Sequence, residues 1–338
     1  MISHFHNLMR FHSYQLFCLG FVACVLLHTP TEATIVVPSS ATTASDTARE
    51  IAATVNGEPI YASAIDAQIE LLIPNLDRKS ARYQKLRCDL LAKTIDRYLA
   101  LEYLHHSKIA ASNDDIQLAI IRLEKRLKLK QQSLADYLRE QNISRAELRH
   151  RMDWQISWNR YLNKYLSDTN LQKYFTDYKS QFDGTTSEIS QILLASHPAD
   201  PAKQKITFDQ ANQIIRDIRS NTISFSTAAK KYSISPTGQT GGLVGSIKYQ
   251  GSMPLQFSDI AFALEVGEVS VPFESEFGIH ILRCNSIKVG TRTWQQARPQ
   301  LREALVESFF SFLVNTRRKM LKAENKLEKH IEINSGWQ

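Results

Sequence analysis

Cysteine is scarce in this chain, which limits disulfide chemistry from the outset. Four cysteines occur in 338 residues, and two of them, Cys18 and Cys24, fall in the N-terminal apolar region. The other two, Cys88 and Cys284, are too few for a disulfide framework. Whether these two pair with each other is left open by the sequence.

Clusters of metal ligands are lacking as well. His280 and Cys284 are close in sequence, but two candidate ligands do not make a zinc site. His105 and His106 stand next to each other without partner ligands. The sequence therefore predicts no metal.

The N-terminal apolar run, Leu16–Leu27, is too short to cross a bilayer comfortably. Arg10 precedes this run and Thr31-Glu32-Ala33 follows it, an order typical of a secretory signal peptide. We therefore predict a signal peptide at residues 1–33, an exported protein, and no stable membrane span after cleavage. Val22-Ala23-Cys24 also resembles a lipobox, so a lipoprotein anchored through Cys24 is the alternative.

A basic stripe interleaved with aromatic residues, as nucleic-acid binding would need, is missing. The formal net charge is +7, and Lys and Arg alternate with Leu over Arg122–Arg139. A solvated helix face explains this pattern better, so we predict no nucleic-acid partner. With 43% hydrophobic and 22% charged residues, the chain can bury a core, and its length suggests two domains with appendages.

The first half of the chain has a helical pattern after a short β segment. Residues 34–50, rich in Ser, Thr and Ala, predict a flexible leader. Ile51–Ile60 surrounds the turn dipeptide Asn56-Gly57, which predicts two short strands, and Ser63 is expected to cap the helix that follows. From Ala81 to Phe182 apolar residues recur at helical spacing, with helix starts predicted at Ser112 and Ser144.

The pattern changes at Asp183-Gly184, where short β-like runs begin to alternate with helices and Gly-rich turns. It becomes helical again from Trp294 to Lys329, with a wide apolar face that must be buried. This face packs either on the N-terminal helices or across a dimer. The first solution predicts an α+β fold in which both chain ends form one helical module around an inserted unit.

The inserted segment contains, in this order, the blocks Glu188–Leu194, Ala211–Ile218, Phe225–Ser233, Pro236–Gly245 with Gly241-Gly242, Gly251–Met253, Phe257–Leu264, Gly267–Ser270 and Phe277–Leu282. In their order and spacing these blocks resemble a parvulin-type peptidyl-prolyl cis-trans isomerase. The flanking segments resemble those of SurA-like chaperones. This resemblance implies a SurA-like N-terminal module at 51–185 and a parvulin domain at 186–290, a small antiparallel sheet surrounded by helices. It also implies a C-terminal helix at 291–338 and a periplasmic location.

The resemblance also implies a function and a site. Parvulins rotate X-Pro bonds, so the expected partners are unfolded or proline-containing client polypeptides, and no cofactor is needed. It assigns the prolyl pocket to Val244, Met253, Phe257 and Phe262. His280, Ser235, Gln191 and Ser275 would face the rotating amide. From the residues alone, the i, i+4 spacing of Met253 and Phe257 more often indicates a helix core, and a histidine such as His280 in an apolar strand is usually a hydrogen-bonded core residue.

Three positions depart from the family pattern. Gln191 stands where a histidine is common, Ser235 where cysteine or aspartate is common, and Leu243 where an aspartate usually follows the double glycine. Gln and Ser hydrogen-bond without carrying charge at neutral pH. We therefore expect weak isomerase activity. The alternatives are a holdase that binds clients without catalysis and an assembly protein with one dedicated partner.

Overall fold

The computed structural model describes residues 50–251 and 253–337. The predicted signal peptide at 1–33, the Cys24 alternative and all of the predicted leader except Glu50 lie outside these ranges. In chain order the elements are β1 (Ile51–Val55), β2 (Glu58–Tyr61), α1 (Ala62–Leu72), α2 (Ala81–His106), α3 (Asn113–Leu129), α4 (Leu134–Glu140), α5 (Arg145–Tyr165), α6 (Asp168–Asp177), α7 (Lys179–Phe182), β3 (Thr186–Leu194), α8 (Pro201–Arg219), α9 (Phe225–Tyr232), β4 (Leu243–Lys248), α10 (Leu255–Ala263), β5 (Phe273–Ser275), β6 (Gly278–Lys288), α11 (Arg298–Ala323), α12 (Leu327–His330) and β7 (Ile331–Ile333).

The described chain divides into two compact units. One spans 171–302, and the other combines residues up to Asn170 with 303–337. The predicted α+β class, with a helical module built from both chain ends and an inserted sheet-containing unit, is confirmed. The finer domain boundaries at 51–185, 186–290 and 291–338 stay as predictions.

The helical unit is closed by a small sheet of order β2-β1-β7. Strand β1 lies in the middle and pairs antiparallel with β7, opposing Ala53 to Ile333 and Val55 to Ile331. Backbone hydrogen bonds therefore join a strand near residue 50 to one near residue 330. Strand β7 forms at the C-terminal end because β1 offers it an unpaired edge.

Helix starts in this unit are set by side-chain caps. Ser112 accepts from the backbone N–H of Asp115, and Ser144 from that of Glu147, and both sites form complete capping boxes. The prediction that Ser63 caps α1 is wrong. Strand β2 runs directly into α1 with Tyr61 at the N-cap position, so Ser63 lies inside the helix, where its buried hydroxyl has no partner among the described residues.

Helix α11 buries its apolar face against α5. The ring of Phe309 meets Tyr161 edge-on with centroids 5.6 Å apart, and Phe310 meets Trp154 and Trp158 edge-on at 6.1 Å. Edge-to-face contacts of this kind add to the hydrophobic gain of burial. The wide apolar face seen in the sequence is thus covered by helices of the same unit.

Charged groups reinforce this packing. The carboxylate of Glu102 on α2 accepts from Arg317 Nε at 2.9 Å and contacts His330 Nε2 at 2.8 Å. Asp96, six residues earlier on α2, accepts from Arg318 Nη2 at 2.6 Å. Helix α2 therefore binds the C-terminal segment of the chain at two places.

The inserted unit contains a four-stranded antiparallel sheet of order β4-β3-β6-β5. One face packs against α8 and α9 through Ile192 and Ile281. The other face packs against α10, with Ile189 and Leu282 beside Phe257. Alternation along β3 and β6 separates these two cores, since successive side chains point to opposite faces.

Cys88 is exposed, Cys284 is buried, and both are free thiols. Across 50–251 and 253–337 there is no grouping of three His, Cys, Asp or Glu side chains suited to a metal. Within the same ranges, every helix is too short or too polar to serve as a transmembrane span.

We predict that Glu102→Ala destabilises the helical unit by about 1–3 kcal/mol, because it leaves Arg317 and His330 half-buried without their acceptor. Urea unfolding monitored by circular dichroism measures the change. Glu324→Ala is the matched control, since its ion pair with Lys326 is solvent-exposed and such pairs contribute little. Equal effects of the two substitutions would contradict the structural role of Glu102.

Candidate active site

Two adjacent strands place Gln191 and His280 on the same face of the inserted sheet. In the β3–β6 register Leu193 opposes His280 and Gln191 opposes Leu282. Directly opposed residues share a face, and Gln191 lies two residues from Leu193, so its side chain is the diagonal neighbour of His280. This is the face covered by α10, where Phe257 packs.

His280 is hydrogen-bonded at both ring nitrogens. Its Nδ1 lies 3.2 Å from Gln191 Oε1, and its Nε2 lies 2.6 Å from Ser275 Oγ. An amide oxygen can only accept, so Nδ1 carries the proton and Nε2 is left to accept from the Ser275 hydroxyl. The ring is thereby fixed in one tautomer and one orientation.

The network continues from Gln191 to Ser235. Gln191 Nε2 donates to Ser235 Oγ at 3.3 Å. Ser235 itself caps the 3-10 helix Pro236–Thr240 by accepting from the N–H of Thr237. The four polar residues assigned from the sequence, Gln191, Ser235, Ser275 and His280, are therefore brought together in one hydrogen-bonded chain.

Burial keeps these four hydrogen-bonded side chains uncharged. His280 is 5% exposed, and removal from water lowers its pKa from the usual 6.5 to about 4. The imidazole is therefore neutral at pH 7. The amide and the two hydroxyls carry no charge either, so the site works through dipoles and hydrogen bonds.

Aromatic rings enclose the imidazole. Phe273, directly opposite His280 in the β5–β6 pair, stacks on it with centroids 5.1 Å apart and planes 14° apart. Phe257 meets the imidazole edge-on at 5.9 Å. Sequence reasoning missed Phe273. Its two-residue spacing from Ser275 on one strand was the available signal, because residues at that spacing share a sheet face.

The remaining pocket residues lie around Phe257. Val244, Met253 and Phe262 are half-buried and pack on the same core cluster as Phe257. Met253 is not on the helix, however: Pro254 is the N-cap and α10 begins at Leu255. The helical i, i+4 interpretation of Met253 and Phe257 is therefore wrong, since Met253 approaches from the loop that precedes the helix.

The double glycine allows the loop to approach β3 closely. Gly242 has φ +87°, and a Cβ there would lie 2.5 Å from the carbonyl oxygen of Gln191. The same glycine accepts from the Gln191 N–H at 2.8 Å. Only glycine fits this approach, which sets the backbone of Gln191. Leu243 follows at the start of β4 with 47% of its surface exposed.

Two family models match the chain. The PPIC-type PPIase domain matches residues 192–286, and the SurA-like N-terminal domain matches residues 7–162. The second match begins inside the predicted signal peptide.

Curated relatives agree with these models. The SurA protein of Haemophilus influenzae is 26% identical over 79% of this chain and 83% of its own length. The foldase protein PrsA of Caldanaerobacter subterraneus is 29% identical over 37% of this chain and 36% of its own length. A NifM protein of Azotobacter vinelandii is 27% identical over 41% of this chain. The chain spans about half the length of the NifM relatives and about a third of the PrsA relatives.

Solved structures give weaker likenesses. PrsA from Bacillus anthracis has a TM-score of 0.34 at 17% identity, covering 69% of this chain and 97% of that structure. A SurA-like chaperone structure from Campylobacter jejuni has a TM-score of 0.28 at 18% identity, covering 81% of this chain and 98% of its own. The assignment therefore rests on the two family models and the sequence relatives.

The segment similar to a PPIC-type PPIase domain, residues 192–286, overlaps the inserted sheet. Together with the match to a SurA-like N-terminal domain at 7–162, it makes this chain similar to parvulin-type peptidyl-prolyl isomerases of SurA-like architecture.

We predict that His280 stays in the neutral Nδ1–H tautomer from pH 8 down to about pH 5, because its pKa in the folded protein is about 4. NMR detection of the ring nitrogens through their carbon-bound protons measures both tautomer and pKa. An unfolded histidine titrates near 6.5. The unfolded state therefore binds the extra proton first, and stability falls as the pH drops from about 6.5 toward 4. A titration midpoint at or above 6.5 would contradict the burial of this ring.

Proposed function

We propose that this protein is a peptidyl-prolyl cis-trans isomerase and chaperone that binds unfolded clients and accelerates rotation about their X-Pro bonds. The observation that carries the proposal is the neutral, doubly hydrogen-bonded His280 beside the apolar residues around Phe257. Both lie inside the segment that matches the PPIC-type domain.

Rotation about an X-Pro bond needs no covalent chemistry. The barrier of about 20 kcal/mol comes from loss of amide resonance in the twisted state. A catalyst has to bind the twisted amide better than either planar form. The side chains of Val244, Met253, Phe257 and Phe262 would hold the prolyl ring while the carbonyl before it rotates.

The hydrogen-bonded side chains around His280 would supply the second half of this mechanism. The Gln191 N–H that does not bind Ser235, and the Ser235 hydroxyl, can donate to the carbonyl oxygen as it turns. His280 orients Gln191 through Nδ1, and Ser275 holds the imidazole ring by donating to Nε2. Fixed dipoles in a half-buried site cost little reorganisation during the rotation, which favours the twisted state.

Client binding is proposed for the helical unit as well. This proposal is supported by the match to the SurA-like N-terminal domain, and by two relatives that are named a chaperone and a foldase. Proline isomerisation takes tens of seconds or longer without a catalyst, so a binding module joined to an isomerase has a clear use during folding.

We predict that Met253→Ala in the full chain lowers kcat/KM for a Leu-Pro peptide about tenfold, because part of the apolar contact with the prolyl ring is lost. Cis/trans exchange NMR measures the rate. Ile206→Ala is the matched control: it removes a 66% exposed side chain on α8 and should leave the rate unchanged.

Two results would contradict the catalytic proposal. Equal rates in the wild-type protein and the Met253→Ala variant would remove Met253 from the site. If the wild-type protein bound the peptide without accelerating its cis/trans exchange, the protein would be a holdase and not an isomerase. The chaperone half is tested separately by suppression of client aggregation, which Met253→Ala should leave intact.

Export is the third part of the proposal, and it rests on the order of Arg10, the apolar run and Ala33 at the N-terminus. We predict that the full-length chain, expressed in a bacterium with two membranes, is recovered from the periplasm with its N-terminus near residue 34. N-terminal sequencing decides between this outcome and a mature chain that begins at a lipid-modified Cys24. A cytoplasmic protein that retains Met1 would contradict export.

A further inference from the structure

The loop that carries Met253 is fastened at both ends by one side-chain hydrogen bond. Tyr249 is the first residue after β4, and Asp259 lies in the second turn of α10. The Tyr249 hydroxyl donates a short hydrogen bond to Asp259 Oδ1. Met253 lies between these two residues in sequence, so the bond ties the chain before Met253 to the helix after it.

The same tyrosine also packs on a pocket residue. Its ring meets Phe262 edge-on, with centroids 5.5 Å apart and an interplanar angle of 87°. Asp259 and Phe262 are three residues apart on α10 and so lie on one face of that helix. Tyr249 therefore holds the polar and the aromatic side chain of this face together. Both Phe262 and Met253 pack on the cluster that contains Phe257.

The bond lies at the surface, with Asp259 exposed and Tyr249 half-buried, and the charge of its acceptor favours it. Burial is the largest cause that raises the pKa of the Tyr249 phenol, and Asp259 raises it further, so the proton stays on the phenol at neutral pH. A hydroxyl that donates to a carboxylate forms a bond about twice as strong as one between neutral groups. Tyr174 and Tyr178 raise the pKa of the Tyr249 phenol slightly further through their charge interaction with it.

Met253 packs on the cluster that contains Phe257, and so does Phe262, the residue on which Tyr249 packs. Methionine has three rotatable bonds and adapts easily to irregular gaps. A methionine on a loop would not hold a prolyl ring in a defined position unless the backbone of the loop were fixed. Neither Tyr249 nor Asp259 belongs to the hydrogen-bonded chain around His280.

We infer that Tyr249 and Asp259 are positioning residues, which hold Met253 in place for contact with the prolyl ring of a bound client. This inference rests on the proposed binding of X-Pro segments at Met253 and Phe257. The two residues act through Met253 and Phe262 and do not touch the rotating amide.

The experiment uses three variants of the full chain. Asp259→Ala removes the acceptor, Tyr249→Phe removes the donor, and Asp259→Asn keeps an amide oxygen that can still accept. We expect the first two to raise KM for a Leu-Pro peptide about three- to tenfold while kcat stays within about twofold, because ground-state and twisted-state binding are lost together. Asp259→Asn should restore KM to near the wild-type value.

A second readout does not depend on catalysis. With methionine methyl groups labelled with ¹³C, the Met253 resonance should shift and broaden in Asp259→Ala and Tyr249→Phe. The dissociation constant for the peptide should rise with KM. Asp209→Ala, which removes an exposed partner of Lys205 on α8, is the matched control and should change none of these values.

Three outcomes would overturn the inference. A lower melting temperature with unchanged KM and an unchanged Met253 resonance would make the bond structural only. A fall in kcat at constant KM would place the pair in the chemistry of rotation. An Asp259→Asn variant as impaired as Asp259→Ala would show that the hydrogen bond is not the cause. If the wild type binds the peptide without accelerating its exchange, the catalytic proposal fails, while the dissociation constants and the methyl spectrum still test the positioning pair.

Discussion

The register between β3 and β6 is the constraint on which the site depends. These central strands pair antiparallel from Thr186↔Lys288 to Leu194↔Ile279, with one irregularity between Glu188 and Ile189. A slip of one residue on either strand would turn that strand's side chains to the opposite face. His280 would then enter the core under α8, and its contacts with Gln191, Phe257 and Phe273 would be lost. Two separate apolar cores oppose such a slip, since Ile279 and Ile281 belong to one and Leu282 and Cys284 to the other.

The departures from the family pattern fit one another once the geometry is considered. An amide can accept and donate at the same time, which a carboxylate cannot. Gln191 uses both functions, accepting from His280 and donating to Ser235. A serine hydroxyl at 235 can accept this bond without placing a charge beside a buried ring. The neutral state of His280 and the neutral residues around it are therefore parts of one arrangement, in which no buried charge needs a partner.

The sequence could predict features that depend on short stretches of chain. The helix caps at Ser112 and Ser144 and the turn at Asn56-Gly57 follow from residues within a few positions of each other, and each parvulin block is itself a short run of residues. The family resemblance then predicted that Gln191, Ser235, Ser275 and His280 belong to one site. Three features of the structure could not be predicted, for physical reasons. Ser63 failed as a cap because β2 enters the helix without a break. The stacking of Phe273 on His280 and the bond between Tyr249 and Asp259 depend on strand register and loop path, which local pattern does not contain.

The position of the parvulin unit inside the chain has a consequence for folding. The helical unit needs β7 beside β1 and Arg317 beside Glu102, contacts that join residues more than 200 positions apart. Closing so long a loop is entropically costly, and the cost grows with the logarithm of the loop length. The inserted unit pairs its own strands within 186–288 and needs no residue from outside 171–302 for its sheet. If the inserted unit folds first, a compact domain replaces a long flexible segment. The flexible chain between the two ends of the helical unit is then shorter, and less of it has to be ordered when those ends pair. The isomerase fold would in that way assist the assembly of the helical unit that encloses it in sequence.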